Sequence, residues 1–239
     1  MSSTHRTLST LLSFALLALV LPARAYAIES SDNKSSRQAH AIIVDSAEKI
    51  DQFDSTSHWD SVKNLTGVAK AIVIFPSGGQ GGFLLGMQRG QGILMTRQAH
   101  HWSQPVFINF NSFMFGLLAG AQSLSGVGVV LSNDVLSTLQ RQPVKLGGTA
   151  DLTVGKGVSG KVIGGTSGIS AMMVSENKGL YFGGSIDTFQ LSLNDELNKA
   201  YYGEGFDLER VLSNFDDNQG TAQSLRKRLE GISYRAVFE

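Results

Sequence analysis

The spacing of hydrophobic positions divides this 239-residue chain into helical ends and a long β-like middle. Near the N-terminus, apolar residues recur every three or four positions and so share one face of an amphipathic helix; they are Ala39, Ile42, Ile43, Ala47 and Ile50. A second, short helix is predicted from Trp59, Val62 and Leu65, and it ends at Gly67. The region before residue 68 is therefore predicted to be helical.

The middle of the chain combines short apolar runs with many glycines. All 27 glycines lie at or beyond Gly67, and 23 of them fall between Gly67 and Gly184. Glycine costs about 0.5–1 kcal/mol inside a regular element, so this density needs a structural reason. Tight turns, bulges and sharply bent strands are the usual reasons. The middle region is therefore predicted to be a curved antiparallel sheet.

The apolar runs of the middle region predict ten short strands. They are Ala69 to Phe75, Gly82 to Gln88, Gln91 to Arg97, Val106 to Phe110, Phe113 to Ala119, Val127 to Leu131, Val144 to Val154, Val158 to Ile163, Ile169 to Ser175 and Leu180 to Leu191. Pro76 is expected to stop the first run. Turns are predicted at Arg89-Gly90, at Asn111-Ser112 and at Glu176 to Gly179, where glycine and asparagine favour them.

Helices return after the sheet. Ser132 or Asn133 is expected to cap a short helix through Leu139. Three more are predicted near the end: an Asn194-capped helix to Tyr202, Asp207 to Phe215, and Thr221 to Ile232. The predicted fold class is α+β, with a Gly-rich antiparallel β barrel or sandwich flanked by N- and C-terminal helices.

The first residues resemble a secretory signal. Leu8 to Leu21 is apolar, Pro22 ends it, and small residues up to Ala25 or Ala27 fit a cleavage site. The stretch is shorter than the roughly 17–25 residues of a bilayer-spanning helix. We expect residues 1–27 to be a signal peptide, residues 28–36 a flexible tether, residues 37–232 a single domain and residues 233–239 a tail.

The amino-acid composition limits the cellular compartment and the classes of binding partner that we expect. The chain has no cysteine, which excludes disulfides, thiolate zinc sites and a lipoprotein anchor. We therefore expect an exported, periplasmic bacterial protein. Without Arg6 and Arg24, 18 basic residues face 20 acidic ones, so no basic excess favours nucleic-acid binding.

No motif indicates an enzyme, a metal or a cofactor. Gly155 to Gly160 matches the dinucleotide pattern G-x-G-x-x-G, but the residues that follow it are poor helix formers. Neither a G-x-S-x-G serine nor a phosphate-binding P-loop is present. His100 and His101 are adjacent, so on a strand they would point to opposite faces. We expect catalytic and metal sites to be absent.

Three groups of residues are candidates for contacts with a lipid. Basic residues occur through the β region, phenylalanines crowd the hairpin predicted around Asn111-Ser112, and a basic run lies near the C-terminus. The candidates are Arg89, Lys145, Lys156 and Lys161; Phe110, Phe113 and Phe115; and Arg226, Lys227 and Arg228. Ordinary core packing of the phenylalanines and a solvated face for the cations are the alternatives.

Several segments between Ala69 and Gly203 have a distinctive order and spacing. They are Ala69 to Pro76, Gly81-Gly82-Phe83 with Gly86, Gly90 to Leu94, Trp102 to Pro105, Gly116 with Gly120-Ala121-Gln122, Lys145 to Gly148, Lys178 to Tyr181 and Ala200 to Gly203. Over about Ala39 to Ser213 the chain resembles the SYLF lipid-binding domain family. The resemblance implies a non-enzymatic module that binds membrane lipids, phosphoinositides in eukaryotic members, some of which also engage actin. Bacterial relatives are exported.

Two departures from the family qualify those expectations. The N-terminal amphipathic helix carries Asp45, Glu48, Lys49 and Asp51 rather than a basic face, and export removes the chain from actin. We expect a lipid- or membrane-binding module of the bacterial cell envelope, peripheral on a membrane, with an anionic phospholipid or another envelope lipid as partner. The alternative is a scaffold that binds another envelope protein through the Phe/Met hairpin, and an enzyme without a familiar motif ranks last.

Overall fold

A computed structural model describes residues 33–139, 141–142, 144–154, 157–165, 168–216 and 220–238. Helices come first: α1 (residues 33–55), a 3₁₀ turn at Ser57–Trp59 and α2 (Asp60–Leu65). The strands follow: β1 (Ala71–Gln98), β2 (His101–Trp102), β3 (Val106–Val130), then α3 (Asn133–Leu139), β4 (Val144–Val154), β5 (Gly157–Gly165) and β6 (Gly168–Leu193). The last described elements are α4 (Asp195–Tyr202), α5 (Leu208–Leu212) and α6 (Gln223–Phe238). The α+β prediction is confirmed.

The described strands form one six-stranded antiparallel sheet in the order β2-β1-β3-β6-β4, with β5 also paired to β6. Among the described residues no pairing joins β4 or β5 back to β1, so the sheet is not a closed barrel. β1, β3 and β6 contain 28, 25 and 26 residues and are much longer than predicted.

Three predicted turns are wrong because they lie inside the long strands. Arg89 pairs directly with Asn111, and Glu176 pairs with both Ser125 and Val158. The cross-strand partners at these positions outweigh the local turn preference of glycine and asparagine. Pro76 interrupts the ladder without ending the strand, since the register shifts between Phe75 and Gly78.

β1 folds back on itself. A Cβ atom added at Gly92 would overlap the carbonyl oxygen of Ile74, and one added at Gly78 would lie 2.8 Å from the carbonyl oxygen of Arg89. In a straight strand residues 74 and 92 would be about 60 Å apart. The two halves of β1 are therefore in backbone contact, which glycine permits. This confirms the prediction that the Gly-rich region is curved.

The bent sheet is buried on both faces. On one face, Ile72, Ile74 and Ile93 pack in a core that also contains residues of α1, α2, α4 and α6. On the other face, Val73 and Leu94 pack in a core with residues of α3 and α5. Along β1 and β3 the described side chains alternate between the two cores, as the pleat of a strand requires. All five apolar positions predicted for the N-terminal helix are buried in the first core.

α4 is fixed to the sheet by an amide clamp. The side chain of Asn194 accepts a hydrogen bond from the backbone N–H of Leu197 at 3.0 Å, which confirms the predicted cap. Asn198 is buried, and its amide donates to the carbonyl oxygen of Phe107 and accepts from the N–H of the same residue, both at 2.9 Å. The clamp therefore joins α4 to the start of β3.

Two predicted boundaries are corrected at the ends of the domain. Residues 33–36, predicted as part of the tether, belong to α1, and the hydroxyl of Ser35 donates to Glu196 Oε1 at 2.5 Å. Residues 233–238, predicted as part of the tail, continue α6. Trp102 Nε1 donates to the buried hydroxyl of Ser233 at 3.2 Å, so tertiary contacts extend both helices.

Arg226 anchors α6 and is therefore corrected as a lipid-binding candidate. Its residue surface is only 1% exposed. Nε donates to the carbonyl oxygen of Trp102 at 2.9 Å, and the two Nη atoms donate to the carbonyls of Phe215 and Asp216. By contrast, Lys227 is exposed, and Arg228 Nε forms an ion pair with Asp51 at 2.9 Å.

We expect Gly92→Ala to destabilise the fold, because its Cβ atom would meet a backbone oxygen that has no freedom to rotate away. Overpacking of this kind costs about 1–3 kcal/mol. Chemical denaturation measures the loss, and Gly79→Ala is the matched control since nothing lies within 4 Å of its added Cβ. Equal stability of the two variants would contradict the fold-back of β1.

Arg226→Met is expected to lower the free energy of unfolding by about 3 kcal/mol or more, because three carbonyl oxygens lose their donor and each unsatisfied buried group costs about 1–3 kcal/mol. Lys227→Met, one position further along the same helix, should leave it within about 0.5 kcal/mol, as surface changes do. Thermal or denaturant unfolding measures the free energy of unfolding of both variants. If the two variants unfold with the same free energy, the anchoring role of Arg226 is wrong.

Candidate functional site

The predicted phenylalanine hairpin is not formed, because residues 106–130 are one strand. Phe110, a lipid-binding candidate, is 1% exposed, and its ring packs on Phe75 with 4.3 Å between the centroids. Glycines 78 and 90 leave room for this ring. Phe110 is therefore corrected to a core residue, and the protein-interface hypothesis loses the hairpin on which it depended.

Several candidates have no described side chain. Lys156 lies outside the described residues, as do the side chains of Lys145, Lys161, Phe113 and Phe115. The backbone register places Lys145 opposite Gln190 and Lys161 opposite Met173, at different positions along β6. Since β5 covers Gly157–Gly165, no helix follows the G-x-G-x-x-G match, and the context for a dinucleotide site is missing.

The structure places Arg89 in a polar cleft between α1 and the face of β1 and β3 that packs against α1. The cleft has a volume of about 640 Å³, within the range of about 300–1,000 Å³ that ligand pockets occupy. Apart from one aliphatic side chain, Ile42, its walls consist of small, amide, hydroxyl and charged residues: Gln38, Ala41, Asp45, Ser77, Arg89, Gly90, Gln91, Asn109 and Asn111.

The cleft forms where the sheet face that packs against α1 changes from apolar to polar. Ile93 pairs with Phe107, and both residues are buried in the core that contains α1. The next pairs on the same face are Gln91 with Asn109 and Arg89 with Asn111. These polar side chains leave a gap under the N-terminal half of α1, where an apolar pair would have closed the interface.

On the helix side, the cleft is lined at positions 38, 41, 42 and 45, which recur along one face of α1. Ile42 is buried and forms the apolar part of the wall, and Ala41 leaves room beside it. Gln38 and Asp45 stand one turn to either side of Ile42. The helix thus contributes one amide and one carboxylate to a wall with an apolar centre.

Two hydrogen bonds position the amides of the cleft. Gln38 Nε2 donates to Gln91 Oε1 at 2.6 Å, which joins α1 to β1. Asn194 Nδ2 donates to Asn109 Oδ1 at 2.9 Å, which joins the cap of α4 to β3. A pocket wall held by bonds between different elements is preorganised, so binding costs less side-chain entropy.

Three polar side chains of the cleft are available to bind a ligand. Within the described part of the chain, the side chains of Arg89, Asp45 and Asn111 make no hydrogen bond or ion pair with another residue. Arg89 thus offers a guanidinium fork without an internal carboxylate partner. Such a fork matches phosphate and carboxylate geometry by two parallel hydrogen bonds.

A second surface feature, the C-terminal aromatic patch, consists of Val68, Tyr234, Val237 and Phe238. These residues are 63%, 55%, 46% and 57% exposed. The rings of Tyr234 and Phe238 lie 4.7 Å apart, and a Cβ atom added at Gly67 would lie 2.8 Å from Val237 Cγ2. The sequence prediction missed this patch because it treated residues 233–239 as a tail.

Charges next to the patch are mostly paired. Arg235 Nη2 contacts both carboxylate oxygens of Asp54 at 2.7 Å. His101 Nδ1 lies 3.0 Å from Glu230 Oε1 at a surface cavity of about 440 Å³ that Tyr234 also lines. These pairs leave the patch predominantly apolar.

The described ranges contain neither a metal-binding cluster nor a membrane-spanning helix. No three histidine, aspartate or glutamate side chains there converge on a point where a metal ion would fit. Likewise, none of the helices described has the length and hydropathy needed to cross a bilayer.

Comparison with proteins of known structure adds little. The virulence-associated protein VapD from the intracellular pathogen Rhodococcus equi aligns with 12% identity and a TM-score of 0.33, over 52% of this chain and 97% of VapD. A similarity at this level carries no argument about fold or function. No curated protein matches the chain.

Comparison with protein families gives a clear result. The family described as Ysc84, Las17-binding protein actin regulator, matches residues 111–232, slightly more than half of the chain. The matched region begins at Asn111 in the cleft and includes β4, β5, β6 and the helices α4 and α5. It agrees with the SYLF resemblance of the sequence. The chain therefore belongs to the Ysc84 (SYLF-type) family of binding domains.

Proposed function

We propose that the chain is a non-enzymatic lipid- and membrane-binding module of the bacterial cell envelope. The observation that carries this proposal is the Arg89 guanidinium, which lines a preformed polar cleft and has no partner among the described residues. An anionic head group supplies that partner through charge-assisted hydrogen bonds. Membership of a binding-domain family supports the same conclusion.

The C-terminal aromatic patch supports contact with a bilayer. Exposed apolar groups that adjoin one another mark protein or membrane interaction sites. Tyrosine is enriched at the membrane–water interface because its ring is apolar and its hydroxyl is polar. We propose that Tyr234 and Phe238 insert at the level of the lipid head groups, which would make the protein peripheral on the membrane.

Other sequence-based candidates remain part of the proposal. The side chain of Lys227 is exposed and adds positive charge to the surface of α6. Lys145, Lys156 and Lys161 would add to the attraction of anionic lipid, and Phe113 and Phe115 would provide apolar contacts next to the cleft. In backbone register Phe113 pairs with Met87, two positions beyond the pair of Arg89 with Asn111.

We further propose that the signal segment exports the chain to the periplasm and is cleaved near Ala25 or Ala27. The family description names a regulator of actin. Export would separate this chain from actin, so we propose an envelope phospholipid as the ligand instead.

Vesicle flotation tests the proposed function. The protein, expressed from its full-length gene and purified from the periplasm, should float with vesicles that contain phosphatidylglycerol, and less so at high salt because the attraction is screened. Failure to float with any anionic vesicle at low salt would contradict the proposal. Crosslinking in cells that returns a stoichiometric protein partner, with no lipid, would favour the envelope-scaffold alternative, with the aromatic patch as the interface.

The double variant Tyr234→Ser/Phe238→Ser should weaken flotation by about tenfold or more, because each buried aromatic side chain contributes about 1.5–3 kcal/mol. Val44→Ser is the matched control, since Val44 is 48% exposed on α1 and outside the patch. Equal flotation of the two variants would remove the patch from the membrane-binding surface.

A further inference from the structure

We infer that the Arg89 cleft binds a head group with one phosphodiester and free hydroxyl groups, the chemistry of phosphoglycerol, in preference to a head group with several phosphates. This inference rests on the proposed function and names the ligand class of the same site. It follows from three features of the cleft: its charges, its unused hydrogen-bonding groups and the spacing of its polar pairs.

The charges of the cleft suit a ligand with a single negative charge. Arg89 and Asp45 are the charged side chains among the residues that line it. They form no ion pair with each other, so each remains open to a ligand. Arg89 attracts one phosphate, whereas the carboxylate of Asp45 repels a second one. A site for multiply phosphorylated head groups would instead carry a cluster of cations.

The unused hydrogen-bonding groups suit hydroxyls. After the bonds from Gln38 to Gln91 and from Asn194 to Asn109, the amides of Gln91 and Asn109 still have donors, and Gln38 keeps an acceptor. Asn111 offers both kinds of group, and Asp45 is an acceptor. A hydroxyl group donates one hydrogen bond and accepts two, so it satisfies such a mixed wall where an acyl chain does not.

The spacing of the polar groups matches a short polyol phosphate. Arg89 and Asn111 are directly opposite each other on neighbouring strands, which places their Cβ atoms about 4.5–5.5 Å apart. A phosphate held by Arg89 therefore brings the hydroxyls of an attached glycerol next to Asn111. Asp45 lies across the cleft on α1, where it would accept from a hydroxyl at the far end of the ligand.

Calorimetric titration tests this recognition without a membrane. The purified protein is titrated with glycerophosphoglycerol, glycerol 3-phosphate, glycerol and inorganic phosphate. We expect glycerophosphoglycerol to bind most tightly, because it alone combines a monoanionic phosphodiester with hydroxyls at both ends. Tighter binding of inorganic phosphate or glycerol 3-phosphate would overturn the inference.

Single substitutions test whether glycerophosphoglycerol binds in the cleft. Arg89→Gln should weaken the affinity for glycerophosphoglycerol by about tenfold to a hundredfold, and Asn111→Ala by about twofold to tenfold, from the usual strengths of charged and neutral hydrogen bonds. Arg141→Gln is the control for loss of one exposed arginine, because Arg141 lies between α3 and β4, outside the cleft. Equal losses in all three variants would overturn the assignment.

Asp45→Asn is expected to strengthen the binding of one ligand, glycerol 3-phosphate, and a misfolded variant would not show such a gain. Removal of the carboxylate should strengthen the binding of dianionic glycerol 3-phosphate relative to glycerophosphoglycerol by about tenfold, since one repulsive charge is lost. An unchanged ratio of the two affinities would show that Asp45 does not select against a second negative charge, which would overturn the preference for a single phosphodiester.

Vesicle flotation of the wild type and the variants distinguishes failure of this inference from failure of the proposed function. Flotation with phosphatidylglycerol that falls in the Arg89→Gln and Asn111→Ala variants supports both. Flotation that is equal in wild type and both variants keeps membrane binding and overturns the cleft as the head-group site. Binding of soluble glycerophosphoglycerol without flotation on any vesicle keeps the cleft ligand and overturns membrane binding.

Discussion

The backbone contact between the two halves of β1 is the constraint on which the rest of the structure depends. Side chains at positions 78 and 92 would prevent this contact, so the bend requires glycine there. The bend brings Ile72 and Ile74 into one core with Ile93, and that continuous apolar surface is what α1 and α6 cover. The same bend brings Ser77 into the wall that contains Arg89. Core formation and site formation are therefore two results of one glycine-dependent fold-back.

The site arises because the paired residues of β1 and β3 that face α1 change from apolar to polar along the strands. The pair of Ile93 with Phe107 closes the interface under α1, and the polar pairs beyond it leave that interface open. Because strand pairing fixes which residues face the helix, the cleft brings together a guanidinium, a carboxylate and several amides. Such a polar wall is suited to selecting a ligand by hydrogen bonding.

The sequence predicted what depends on local signals. The buried face of α1 and the cap at Asn194 follow from periodicity and capping chemistry within a few residues. Strand lengths were wrong because Arg89-Gly90 and Glu176 to Gly179 have local turn preference, while their actual state is decided by partners far along the chain. The candidate site was predicted only at Arg89. Gln38 and Asn111 are added to the site by tertiary packing, which the local sequence does not reveal. Arg226 is no longer a candidate, because its guanidinium donates to carbonyl oxygens of residues distant in sequence.

Chemical-shift mapping by NMR with glycerophosphoglycerol tests whether the fold-back creates a head-group cleft between α1 and the β1–β3 pair. We expect the changes in backbone amide shift to cluster at residues 38–45, 89–91 and 109–111, three segments that are distant in sequence and meet only in this fold. Shifts confined to another surface, such as residues 234–238, or the absence of shifts at saturating ligand, would contradict it.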